Sequence, residues 1–210
     1  MIRPVLLATA VVALVACPRP GPPRPVAALA GPARVAVVPF RTGPGSEAGA
    51  GTEAVPADAG PEAARMLGAH LAEAGMAVVD PDRVLGAWSL ADTGAYDAQL
   101  AARVADKVGA NLAVLGTLSR YHERQGTAWA VESPAAVTYE AALVHAPDGA
   151  LLAVDRFEYV QQALSENLLQ LPRFVEGGGR WLTREELLDQ ALARTAERLA
   201  RTVGVPPARR

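Results

Sequence analysis

The sequence predicts an α/β domain: a mixed sheet of about five strands packed by helices, preceded by an apolar leader and a Pro-rich tether. Two patterns carry that class. Short β-branched runs such as Val35-Ala36-Val37-Val38 alternate with stretches whose apolar residues recur every four positions, as Tyr96, Leu100, Val104 and Val108 do, so strands alternate with helices. Further along, Val137 to Val144 and Ala150 to Val160 flank the turn sequence Pro147-Asp148-Gly149, which adds an antiparallel hairpin and makes the sheet mixed.

The leader comes first. Met1-Ile2-Arg3-Pro4 supplies one positive charge, and Val5 to Val15 carry no polar side chain apart from Thr9. An apolar run of about ten residues falls short of the ~18 that a spanning helix needs and suits a signal peptide. Leu14-Val15-Ala16-Cys17 then resembles the lipobox of bacterial lipoproteins. In that family the thiol receives diacylglycerol, the chain is cut before the cysteine, and the new amino terminus is acylated, commonly with palmitate. The resemblance implies that residues 1–16 are removed and that Cys17 carries the membrane anchor. Each buried methylene is worth about 0.8 kcal/mol, and two or more chains hold where one does not. An aspartate after the lipidated cysteine directs such proteins to the inner membrane; here Pro18 stands there. The implied address is therefore the outer membrane, periplasmic face, with the inner membrane as the alternative.

Cys17 is the single cysteine, so no disulfide forms within the chain. Pro18-Arg19-Pro20-Gly21-Pro22-Pro23-Arg24-Pro25 suits a polyproline spacer, and residues 17–33 are read as the tether. Residues 34–204 form one α/β domain on this reading, with a disordered tail at 205–210; such a length suits a single core. The formal net charge is -2, against a nucleic-acid partner, which calls for a concentrated positive face.

Within the domain, Arg34 to Phe40 reads as a buried strand ended by Pro39. Gly43 to Gly51 is glycine-rich, but it lacks a Lys-Ser/Thr pair and is followed by a helix only near Pro61, so a surface loop is expected instead of a phosphate cradle. A helix from Pro61 to Ala74 places Leu67, Leu71 and Ala74 on one face, His70 beside it, and Gly75 just past its end. Met76 to Val79 is a second strand. Asp80 caps a short helix carrying Val84, Leu85 and Trp88, and another helix runs from Tyr96 to Val108. The strand from Leu112 continues through Arg124 to a turn at Gln125-Gly126. No element is assigned over Gln161 to Arg180. Thr183 and Glu186 form a capping box, and the helix it opens buries Leu188, Leu192, Thr195, Leu199 and Val203.

The run Gly109-Ala110-Asn111, the apolar strand after it, and Gly116-Thr117 resemble the central unit of periplasmic α/β domains typified by the curli secretion lipoprotein (CsgG) and the amino-terminal domain of TolB. Val35 to Phe40 is similar to their opening strand. The resemblance implies an envelope protein and permits a curli-type pore subunit. Such a pore needs membrane hairpins with one apolar side, whereas Arg120, His122, Glu123 and Arg124 put charge on both faces.

Catalysis is not expected. His70, His122 and His145 fall on separate elements with no i, i+4 partner, and no Gly-x-Ser-x-Gly, His-Glu-x-x-His or Cys-x-x-Cys is present. No metal site and no cofactor are expected; a periplasmic hydrolase is the weakest alternative. The favoured reading is a lipid-anchored interaction or assembly module whose partner is another envelope protein. Its contact surface is expected at Gln161, Gln162, Ser165, Glu166, Asn167, Phe174 and Trp181, with self-association left open.

Overall fold

A computed structural model describes residues 32–43, 54–91, 95–126, 131–133, 135–160 and 181–205. The leader, most of the tether, residues 44–53 and the tail from residue 206 lie outside them. The elements are β1 (Arg34–Val37), β2 (Arg41–Thr42), α1 (Ala59–Glu73), β3 (Ala77–Val78), α2 (Pro81–Ala91), α3 (Ala98–Val108), β4 (Leu112–His122), β5 (Gln125–Gly126), β6 (Val131–Ser133), β7 (Ala136–His145), β8 (Ala150–Val160) and α4 (Arg184–Thr202).

Six strands form one mixed sheet in the order β3-β1-β4-β7-β8, with β2 also beside β4. β3, β1 and β2 join in parallel; β4, β7 and β8 form an antiparallel meander. The run expected to be one strand from Arg34 to Phe40 is divided. Its ladder stops at Val37 and resumes at Arg41, because Pro39 has no N–H to donate, although Val38 N still reaches the Val114 carbonyl at 2.8 Å.

The alternation along each strand separates two cores. Val35, Val37, Val114, Leu118, Val137, Tyr139, Ala141 and Leu143 pack beneath α1 and α4, together with Leu67, Leu71, Leu188, Leu192 and Leu199. Ala36, Val38, Ala113 and Val144 face the opposite side, under Val84 of α2 and Ala101, Val104 and Val108 of α3. Past α2 and α3, that second face of β7 and β8 opens to solvent, where Val154 is 48% exposed.

The helix ends follow their sequence signals. Asp97 caps α3 by accepting from Leu100 N, Gly109 ends it at φ 71°, and Thr183 with Glu186 forms the expected reciprocal box on α4. Three expectations are corrected. Because Asp97 is the cap, α3 starts at Ala98 and Tyr96 precedes it. Gln125-Gly126 is not a plain turn but strand β5, paired antiparallel with β6. The strand from Leu112 ends at His122 and not at Arg124.

Candidate interaction surface at the far end of the sheet

β4 spans the domain, and its two ends are chemically different. At the near end, Asn111 stands between the α3 cap and the strand. Its Oδ1 accepts from Arg34 N at 2.8 Å and its Nδ2 donates to the Pro32 carbonyl at 3.0 Å, so one side chain continues the β1–β4 ladder onto the last tether residues. Backbone bonds flank it: Asn111 N donates to Arg34 O, and Ala146 N donates to Asn111 O. This gives Gly109-Ala110-Asn111 a physical role: a left-handed cap, a buried alanine, then a side chain that fixes where the tether meets the domain. An open groove of about 370 Å³ lies beside it, lined by residues that include Arg34, Asp106 and Pro147.

The far end is built from charged side chains gathered around a buried aromatic ring, Tyr121. The guanidinium of Arg184 lies 4.6 Å from the Tyr121 ring centre, in cation–π contact. Glu123, just past β4, accepts from Arg184 N at 3.4 Å, and its carboxylate sits 3.8 Å from Arg184 Nε. A carboxylate at the first turn of α4 also meets the positive end of the helix dipole. Arg124 donates to the Trp181 carbonyl, strapping the chain just before α4 to the end of β4. Burial, with the Glu185 charge behind it, raises the Tyr121 hydroxyl above its ordinary pKa despite the nearby Arg184. Arg184 Nε is buried with no hydrogen-bond partner among the described residues, while Glu185 is exposed.

Between the ends, polar side chains fasten the layers. The Tyr96 hydroxyl accepts from Gly116 N at 3.0 Å and lies within 2.9 Å of the Pro39 carbonyl and 2.6 Å of the Gly116 carbonyl. It thus bridges the break between β1 and β2, and burial pushes its pKa up to about 12. On the other face Thr195, at 0% exposure, links Tyr139 and Asp155. Thr195 has one hydroxyl hydrogen, which goes to the Asp155 carboxylate at 2.5 Å, so Tyr139 must donate to Thr195 across 2.7 Å. Arg198 completes the chain with a 2.6 Å bond to the same carboxylate oxygen.

Six of the seven residues expected to meet a partner, Gln161, Gln162, Ser165, Glu166, Asn167 and Phe174, lie outside the described residues. Trp181 is described and is 7% exposed, so its ring fastens the chain and offers little surface of its own. The cluster of Tyr121, Glu123, Arg124 and Arg184 was not singled out from the sequence. Its available signal was the capping box, which sets Arg184 at the first position of α4, beside a charged run ending a strand. His70 bridges Glu73 and Asp189, and His145 bonds Asp148 at 2.8 Å. Among the described residues, no three His, Cys, Asp or Glu gather to hold a metal ion, and no helix is long and apolar enough to cross a membrane.

No family model and no curated protein matches the sequence. Several solved structures share the outline of the fold. A PelC dodecamer from Paraburkholderia phytofirmans aligns with 88% of this chain and 94% of its own at 14% identity and a TM-score of 0.44. Lipoprotein GNA1162 from Neisseria meningitidis aligns with 70% and 96% at 17% identity and 0.44. LpoB from E. coli aligns with 62% and 59% at 18% identity and 0.42. At these scores the likeness is one of coarse architecture only.

Proposed function

We propose that the chain is a lipid-anchored lipoprotein of the outer membrane, facing the periplasm, whose α/β domain is a non-catalytic interaction module that presents the far end of its sheet to another envelope protein. The carrying observation is the placement of the two ends. Asn111 holds Pro32 where β4 begins, while Tyr121, Glu123, Arg124 and Arg184 gather where it finishes. Ten residue steps of strand put roughly 33 Å between them. An anchor at Cys17 therefore leaves the charged far end pointing away from its own attachment point. Arginine is among the residues that most often carry protein contacts, because it joins broad surface to directed hydrogen bonding, and Arg184 is held in place here by the buried Tyr121 ring beneath it.

The test is photo-crosslinking in the native envelope, with a photoreactive residue at Glu185 and a control at Asp106 near the tether. A protein captured from position 185 and not from 106 supports the reading; capture from 106 alone, or from neither, overturns it. The anchor is tested separately by labelled palmitate. Label should enter the wild-type chain and not Cys17→Ser, and an unlabelled wild-type chain removes the lipid part while leaving the contact surface standing.

A further inference from the structure

We propose that two copies of this chain pair through β8, antiparallel about a two-fold axis at Phe157, so that their sheets become one. This surface is distinct from the far-end cluster and does not depend on the lipid anchor. β8 is the outer strand of the sheet, and among the described residues no strand pairs with its free edge. It is 11 residues long and contains no proline. Its pairing irregularity, opposite Leu143 and Val144, falls before Val154, so the stretch from Val154 to Val160 is regular. An edge of that length without proline or bulge is a template for another strand.

The charges select which strand. Val154-Asp155-Arg156-Phe157-Glu158-Tyr159-Val160 is self-complementary about Phe157. Antiparallel pairing there sets Arg156 opposite Glu158 of the second copy, and Glu158 opposite the second copy's Arg156. A two-fold axis normal to the sheet keeps each side chain on its own face, so the register can move only in steps that recentre it by one residue. Centring on Arg156 sets Arg156 against itself, and centring on Glu158 sets Glu158 against itself. Like charges directly opposite are unfavourable, and only the Phe157 register sets Arg156 and Glu158 against each other in both directions, so that register is favoured.

The side chains are placed for it. Arg156 is 73% exposed and held 3.1 Å from Glu140 on the open face, while Glu158 is exposed and has no ion-pair partner among the described residues. On the opposite face Phe157 stacks on Tyr139 at 5.4 Å and lies 6.3 Å from Tyr159, so a second Phe157 would extend an existing aromatic row. α4 rests on both β7 and β8. Pairing at the usual ~4.8 Å strand spacing therefore brings the two α4 helices to about 10 Å, a packing distance and not a clash.

Sedimentation velocity of the full chain in a non-ionic detergent tests this through charge exchange. Wild type should be dimeric. Arg156→Glu alone and Glu158→Arg alone each create two like-charge oppositions and should weaken the dimer about tenfold or more. Mixing the two single variants restores both complementary pairs in a heterodimer, as does placing both substitutions in one chain, so each should regain the wild-type association. That rescue also shows the variants to be folded. A monomeric wild type, single variants that dimerise as tightly as wild type, or variants that fail to associate on mixing would each overturn the proposal.

Discussion

The hydroxyl chain from Tyr139 through Thr195 to Asp155 makes a sign prediction that simple contact counting would miss. Thr195→Val keeps the shape and removes the hydroxyl. It strands the Tyr139 O–H, whose residue is 1% exposed, and takes one donor from Asp155, which keeps Arg198. A buried polar group left without a partner costs about 1–3 kcal/mol, and losing a hydrogen bond to a carboxylate adds to it, so about 3 kcal/mol is expected. Tyr139→Phe removes only a neutral bond and leaves Thr195 serving Asp155, so about 1 kcal/mol is expected. Adding Tyr139→Phe to Thr195→Val deletes the stranded hydroxyl, and the double variant should be more stable than Thr195→Val alone by about 1 kcal/mol. Urea unfolding of the four proteins, followed by circular dichroism, measures the cycle. A double variant less stable than Thr195→Val by the whole cost of Tyr139→Phe would refute the assigned direction of donation.

Three further outcomes are expected. His70 loses some affinity for its proton through burial, but its bonds to Asp189 and Glu73 outweigh that and raise its pKa above 6.5. The stability it adds by tying α1 to α4 is thus complete below about pH 6.5 and fades as pH rises through the raised folded value. The stability gap between wild type and His70→Gln should accordingly be wider at pH 6 than at pH 8.5 in chemical denaturation, and a gap that widens with pH would contradict the sign. Gly116→Ala would drive a methyl into the ring of Phe40, which is 3% exposed, and should cost about 1–3 kcal/mol, with Phe40→Leu recovering part of the loss in thermal melts. Asn111→Leu removes the bonds to Arg34 N and Pro32 O, so hydrogen exchange at the Arg34 amide should speed up while that at Val37 stays unchanged.

Much of the architecture was legible because local signals and burial agreed. Leu188, Leu192, Thr195 and Leu199 fell on the buried side of α4, Gly109 ended α3, and the Pro147-Asp148-Gly149 turn joined the meander. The misreadings arose where a long-range bond decided. Tyr96 continues the four-residue spacing of α3, yet its hydroxyl donates to the Pro39 carbonyl, a partner 57 positions away that no local pattern reveals. Gly116 looked like part of a motif, and its reason proved to be room for the Phe40 ring. The far-end cluster was hidden for the same cause, since Tyr121 and Arg184 are 63 positions apart and meet only after the described strands β5 to β8 have been placed between them.

The two proposed surfaces impose a condition on the tether. Antiparallel pairing at β8 sends the far end of one copy in the direction of the other copy's near end; the axis at Phe157 is level with Leu118, seven strand steps from Asn111, so with strands upright on a membrane one tether starts close to the lipid and the other roughly 45 Å above it. Residues 18–31, rich in proline, would reach roughly 43 Å if extended at ~3.1 Å per residue, about the whole of that height, so the higher copy could be anchored beside the lower only with its spacer at nearly full stretch. A shorter spacer would force a choice between pairing and double anchoring. The two proposals together thus assign the proline content a second task beyond lifting a domain from the bilayer: an extended spacer would have about the reach for a two-fold pair to keep both anchors in the same leaflet while a far-end cluster points outward.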